Sequence, residues 1–421
     1  MRVALSASLL MTDKTLLIND DKTLSWVDDI PQDAWVFSGA PKPGKCFDTL
    51  LKLNHLSVDA TIDSRYESVA RTVLSGSMFA TPPYALLMSQ GHIKERIRKI
   101  VHQVVGYLGS IDTNYFDSTW VPATRVFDRL RPAKIDTTSW HGWMLREVGN
   151  KPIIKTFAPG TDDFAEPVEY DRFGTRTGRL TVKSGPNILT LRKDARNMIT
   201  SRYQNGSIIF YDFSGQEARV VLYEAGRRCE ELDLYGMMTR QLFDNQIERN
   251  VVKQAVLSEL YGQGHAALGK RLGIAGEALT AFIKRIRTYF HFGKLQRHVK
   301  GGFIANGYVT NRFGRKITID EPLDNIIFNS YVQSTAADVA LLGFDCLCES
   351  VLPQYTNFTP LFLLHDALII DVEDASKLPE VAWIKVPGYV QRWPVKLEHM
   401  TKVEVQSGEE EQEDEITRSA T

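Results

Sequence analysis

The chain has 421 residues, 43% hydrophobic and 24% charged, with a formal net charge of −1 and four cysteines. This composition excludes a collagen-like, coiled-coil or mostly disordered chain, and the length allows two or three domains or one multi-lobed domain. Four cysteines cannot staple a fold of this size, which points to a reducing compartment such as the cytoplasm, and no apolar run approaches the roughly 20 residues that span a bilayer.

In chain order, residues 1–90 read as a small β-containing domain. Its expected strands lie at 3–10, 15–18, 24–27 and 35–37, divided by turn clusters at Asn19-Asp20-Asp21 and Pro41-Lys42-Pro43-Gly44. The first of these lacks a small-residue cleavage signal after it and reads as a strand, not a secretory leader. Helical spacing follows at 93–108 and 123–130, and 152–171 reads as irregular. Residues 207–211 form an apolar strand ending at Asp212, and 361–372 form two apolar arms around His365-Asp366, a β-hairpin. Between and beside them the spacing predicts helices over 216–224, 248–261, 277–296 and 325–348. Cys346 and Cys348 fall in the last of these, where C-x-C spacing without a second ligand pair reads as core thiols.

The net charge is a cancellation. Residues 240–316 carry 14 Lys/Arg against Asp244, Glu248, Glu259 and Glu277, a sum of +10. The stretch 408–421 carries six acids against Arg418, a sum of −5, and reads as a disordered acidic tail, 406–421. An excess of ten positive charges is more than a mixed solvated face needs and points to a polyanionic partner.

Two residues stand out chemically. Asp212 and Asp366 each close or interrupt an apolar strand, where a carboxylate is costly unless it is paired or holds a metal. Singly, each also reads as a strand-end cap. Converging from adjacent strands, they would make a hard oxygen site suited to Mg²⁺ and substrate phosphates. The predicted helix over 248–261 puts Arg249, Lys253, Leu257 and Tyr261 four residues apart, near one face. Two cations there could bind phosphates and the aromatic could stack near a base, although an amphipathic helix with a solvated basic edge has the same pattern.

Together these pieces resemble the family A DNA polymerases. Asp212-Phe213-Ser214-Gly215-Gln216-Glu217-Ala218-Arg219 is similar to the first palm motif D-Y-S-Q-I-E-L-R. Arg249-x3-Lys253-x7-Tyr261-Gly262 is similar to the fingers motif R-x3-K-x7-Y-G, and Leu364-His365-Asp366-Ala367 to the second palm motif V-H-D-E. Thr177-Gly178-Arg179-Leu180 with Pro186-Asn187, Phe313-Gly314-Arg315-Lys316, and Asn329-x3-Gln333 through Asp338 resemble three further elements, all in family order. Most of the chain before Thr177 lies outside the resemblance.

The resemblance implies an α+β right-hand polymerase with an antiparallel palm sheet: palm from 151–230 and 310–405, fingers from 231–309, a reduced thumb at 91–150. It implies that Asp212, Asp366 and the Phe213 carbonyl hold two Mg²⁺ ions. Arg249 and Lys253 would bind the triphosphate, with Lys253 able to protonate the leaving pyrophosphate. Tyr261 would pack by the nascent pair and donate to Glu217, which would exclude a ribose 2′-hydroxyl. Arg179, Asn329, Gln333, Arg315 and His365 would contact primer–template DNA. Four departures are visible: Leu257 replaces an aromatic, Ala367 a glutamate, Gly215-Gln216 the usual pair, and Asn325 an arginine.

The implied reaction is template-directed addition of dNTPs to a primer end. A single-subunit RNA polymerase shares the skeleton, but Glu217 fills the space a ribonucleotide needs. An inactive primer–template-binding subunit would not need both aspartates and both cations. Residues 1–90 are short for a proofreading domain and lack its D-x-E motif, so no 3′→5′ exonuclease is expected, and a separate exonuclease, a helicase–primase and a processivity factor are candidate partners. A compact enzyme of this kind suits a phage replicon working in the host cytoplasm.

Overall fold

A computed structural model describes residues 1–39, 44–74, 87–147 and 149–400; the acidic tail lies outside them. The chain divides into two compact units, Met1–Val121 and Pro122–Thr421. The division falls within the stretch assigned to the thumb.

The first unit carries a four-stranded sheet, β1 (Val3–Leu5), β2 (Thr15–Ile18), β3 (Leu24–Val27) and β4 (Trp35–Phe37), ordered β3-β2-β1-β4. β1 pairs antiparallel to β2 but parallel to β4. The strand expected over 3–10 ends early: Ser6 accepts from Leu9 N at 3.2 Å and caps a short helix, Ala7–Leu10. Farther along, the Gln90–Tyr107 helix matches the predicted amphipathic segment and buries Ile93, Ile100 and Val104.

In the second unit the small ladders come first: β5 (Lys134–Ile135) with β8 (Ile199–Thr200), and β6 (Glu169–Asp171) with β7 (Thr181–Ser184). Residues 152–171 are therefore less irregular than expected. Pro152 sits in the first turn of a Lys151–Lys155 helix, where its missing N–H costs nothing, and β6 closes the stretch.

The central sheet holds β9 (Ser207–Phe213), β12 (Phe358–Leu364), β13 (Ala367–Val372), β14 (Val381–Lys385) and β15 (Arg392–His399), ordered β12-β13-β9-β15-β14 with every pairing antiparallel. A further ladder, β10 (Val309–Thr310) with β11 (Lys316–Ile317), lies outside it. Side chains alternate along β9. Ile209, Tyr211 and Phe213 are buried in the larger core, where Phe213 meets Phe344 at 5.1 Å and Trp393 at 6.1 Å. Ile208 and Phe210 face a second core built from residues such as Phe157, Met198 and Phe362. Period two thus leaves Asp212 on the face opposite Phe213, at the strand's open end.

The Asp324–Cys346 helix is buried nearly all round, as a helix through the middle of a domain must be. Burial pushes the Cys348 thiol up to about 12, in keeping with a core role. The helix expected over 277–296 is instead two, Gly276–Tyr289 and Phe292–Asn306, broken at His291 with φ 50°. Phe290 and Phe292 are both fully buried, with rings 5.2 Å apart. A continuous helix would turn two residues so spaced about 200° apart, and only one could reach the core.

Candidate active site

β9 and β13 run antiparallel with Ala367 opposite Asp212, and Phe213 N donates to the Asp366 carbonyl at 2.9 Å. The register therefore carries both aspartates to one end of the sheet. β12 and β13 close at Leu364 and Ala367, with His365-Asp366 between them and His365 in the left-handed region at φ 43°. The hairpin read from the sequence is present. Surrounding protein displaces water from both carboxylates and raises their pKa values above the ordinary range, with repulsion from Asp366 added at Asp212 and from Glu217 at Asp366. Lys253 opposes the shift at both, and Lys396, directly across β15 from Asp212, opposes it there. Asp366 and His365 are exposed at the hairpin tip. Burial and then the Arg179 guanidinium push the His365 imidazole down to about 4, so it is neutral near pH 7.

The Gln216–Glu224 helix begins just after β9 and aims Glu217 toward the Arg249–Tyr261 helix. Tyr261, the last residue of that helix, donates to Glu217 Oε2 at 2.6 Å, and Arg179 pairs with Oε1. Gly262 follows at φ 72°, where a Cβ would collide with Asn325; only glycine suits both demands. Arg249 is engaged by Asp233, with Nε at 2.8 and 2.9 Å from its two oxygens, and its guanidinium lies over the Tyr235 ring. Leu257 is partly buried and packs against the core.

The residues expected to touch DNA divide into two groups. Arg179, beside Glu217, and His365, at the hairpin tip, stand next to the carboxylates. Asn329 is partly buried with its side-chain oxygen lacking a hydrogen-bond partner, and Gln333, one turn on, is 5% exposed. Arg315 differs from the expectation. It is 5% exposed and its guanidinium donates to the Arg172 carbonyl at 3.0 Å, behind the turn that carries Arg179. Gly178, at φ 82° in that turn, has no room for a Cβ because the Arg315 guanidinium occupies the space. Arg315 thus braces the turn from inside. Arg172, Asp338 and Asn311 complete the brace: Arg172 pairs with Asp338 at 3.4 Å and Asn311 donates to it at 2.8 Å.

Sequence reading missed four neighbours of the site. Asp233 is an N-cap whose partner lies 16 residues on, which no short motif reveals. Lys396 and Glu398, paired at 3.7 Å, were legible as polar positions alternating with Val395 and Leu397 in β15. Arg219, inside the first motif, is fully buried and donates to the carbonyls of Ser214 at 2.7 Å, Cys229 at 3.2 Å and Leu232 at 2.9 Å. Among the described residues no group of three or more His, Cys, Asp or Glu could hold a metal. Asp212 and Asp366 offer carboxylate oxygens, a donor type that suits a hard cation also bound by water and phosphate.

The chain is 26% identical over 172 residues to the DNA polymerase of Mycobacterium phage D29, covering 38% of this chain and 27% of that protein. It is 24% identical over 273 residues to the thermostable DNA polymerase I of Thermus thermophilus, covering 57% of this chain and 32% of that protein. The matched stretches thus span about a third or less of these relatives. The fold is similar to the POL domain of Pol1 from M. smegmatis, solved in complex with DNA primer-template and dNTP, with TM-score 0.54, 11% identity, and coverage of 91% of this chain and 92% of that one. Residues 165–413, more than half of the chain and all the motifs above, match the model for DNA polymerase family A. The chain belongs to DNA polymerase family A.

Proposed function

We propose that the protein is a template-directed DNA polymerase that adds dNTPs to a primer 3′-hydroxyl. One observation carries this: the β9–β13 register brings Asp212 and Asp366 together, with Lys253 close enough to favour the charged form of both. A carboxylate pair at this cost in repulsion calls for a cation. Asp212, Asp366 and the Phe213 carbonyl would hold two Mg²⁺ ions. Bound there, Mg²⁺ supplies Lewis acidity that activates the primer hydroxyl and neutralises charge on the α-phosphate.

Arg249 and Lys253 bind the triphosphate, and Lys253 donates a proton to the departing pyrophosphate. Glu217, fixed on both oxygens, fills the space beside the sugar 2′ position. Tyr261 packs by the nascent pair, and Leu257 forms the apolar part of that helix face. Arg179, Asn329, Gln333 and His365 face the primer–template. The unpaired oxygen of Asn329 and the left-handed His365 support this, since an orphaned polar atom and a backbone conformation costing about 1–2 kcal/mol persist where a ligand or a function requires them. Arg315 acts on DNA through the turn that presents Arg179.

In this reading the palm is 151–230 and 310–405, the fingers 231–309 and the thumb 91–150. The substrates are dNTPs and primer–template DNA, the setting is the cytoplasm of a host cell, and proofreading comes from a separate exonuclease, alongside a helicase–primase or processivity factor. Among the described residues no helix is long and apolar enough to cross a membrane. Primer extension with dNTPs and, separately, with NTPs tests the reading. Mg²⁺-dependent extension with dNTPs is expected, and failure to extend with dNTPs refutes it. Labelled single-stranded DNA should stay intact in the same buffer; digestion from its 3′ end would overturn the exonuclease assignment.

A further inference from the structure

The first unit lies before the residues that match the family, and its sheet has an open side. β3 is an edge strand, paired only with β2 among the described residues. Asn19 N donates to the Thr23 carbonyl at 2.9 Å, and this sets the phase of the antiparallel ladder. Ser25 and Val27 spend their main-chain groups on β2, while Leu24 and Trp26 turn their N–H and C=O outward. β3 carries no lysine, proline or bulge, the devices that usually blunt an edge strand.

The side chains of the same two residues continue the core past its cover. Trp26 stands opposite Leu16 and Leu24 opposite Ile18, so all four share one sheet face with Trp35 and Phe37. That face is covered where Phe37 meets Phe47 at 5.9 Å and Trp35 meets Phe116 at 4.7 Å, and Leu16 and Ile18 are buried. At β3 the cover stops: Leu24 is 51% exposed and Trp26 50%. Half-covered apolar side chains beside unspent main-chain groups are what an added strand would bury.

Charge selects the occupant. Residues 13–33 hold six acids against Lys14 and Lys22, a sum of −4, with Asp20 and Asp21 before β3 and Asp28 and Asp29 after it. Asp28 pairs with Lys14 at 3.1 Å, but Asp21 and Asp29 are exposed and make no ion pair among the described residues. A second copy adding its own β3 would set these acids against their counterparts. The 408–421 segment, itself −5, would meet the same repulsion.

We propose that the open edge of β3 binds an extended segment of another protein, apolar at alternate positions and carrying lysine or arginine at both ends. Main-chain hydrogen bonds to Leu24 and Trp26 supply the pairing, Trp26 is the apolar anchor, and Asp21 and Asp29 receive the flanking cations. This site stands whether or not the second unit polymerises DNA.

The test uses the full-length protein and labelled synthetic peptides, read by fluorescence anisotropy. One peptide alternates valine and threonine between two flanking pairs of lysine. A second has the same composition in an order that breaks the alternation, and a third has glutamate in place of lysine. The first should bind at least about tenfold more tightly than either of the others, with an affinity that falls as salt is raised. Trp26→Thr keeps a strand-forming residue and should weaken binding by at least about tenfold with Tm unchanged, and Trp26→Phe should restore most of the affinity. Asp21→Asn with Asp29→Asn should flatten the salt dependence. Hydrogen exchange across residues 19–30 should slow when the first peptide binds. No binding of the first peptide, equal affinity for the alternating and reordered peptides, or no loss in Trp26→Thr would overturn the proposal. So would a dimer in sedimentation that Trp26→Thr dissolves, since a second copy would then be the occupant. Binding that appears only once residues 408–421 are removed would overturn it too, with that segment as the occupant.

Discussion

Tyr261 donates to Glu217 at 2.6 Å while Arg179 holds the other Glu217 oxygen, so this carboxylate is fixed from both sides. The gate proposed against a 2′-hydroxyl must be rigid to discriminate, and two charge-assisted contacts supply that. Glu217→Ala should raise kcat/KM for NTPs relative to dNTPs by roughly 10–200-fold, the range that small steric differences in a pocket provide. Single-nucleotide incorporation kinetics measure it; an unchanged ratio would remove Glu217 from sugar selection.

In the proposed reading Asp233, paired with Arg249, competes with the nucleotide for it. Both partners are about half exposed, side-chain values 50% and 43%, so the pair contributes at most about 1 kcal/mol. Asp233 also caps its helix by accepting from Gly236 N at 3.1 Å. Asp233→Asn keeps a good cap and removes the charge. The KM for dNTP should fall by up to about fivefold with Tm unchanged. A rise in KM would show that Asp233 positions Arg249 for the triphosphate.

Arg219 holds the segment between the first motif and the fingers chiefly through carbonyls, with the Tyr223 hydroxyl at 3.4 Å as a further acceptor. Arg219→Met would leave several buried acceptors unpaired, each costing about 1–3 kcal/mol. Chemical denaturation should show a loss of at least about 3 kcal/mol. A loss under 1 kcal/mol would mean that water replaces the guanidinium.

Gly178→Ala places a methyl group at φ 82° against the Arg315 guanidinium. Destabilisation of about 1–3 kcal/mol is expected. Because the turn carries Arg179, DNA affinity should fall in the same variant. Equal affinity for primer–template in wild type and variant would separate the turn from DNA binding.

The sequence was most legible where local pattern and tertiary demand agree. The helix over 216–224 and the hairpin around His365-Asp366 appear at the expected places because periodicity alone specifies them. It was least legible where distant residues decide. Nothing local shows that Arg315 turns inward, since its partner is a carbonyl 143 residues away. The break at His291 follows from two phenylalanines that both need the core, which a helical hydrophobic pattern read in isolation overlooks. Asp233 was invisible for the same reason: its partner is set by how two helices meet.

The central claim is that Asp212 and Asp366 together hold the metal ions on which nucleotide addition depends. Single-turnover extension of a primer by one complementary dNTP, with Mg²⁺, tests it in the wild type and in Asp366→Ala. The account predicts extension by the wild type, loss of that extension on chelation of Mg²⁺ with recovery on its return, and a rate for Asp366→Ala lower by at least about a thousandfold, on the scale of about 4 kcal/mol of transition-state stabilisation. Extension by Asp366→Ala at the wild-type rate would contradict it.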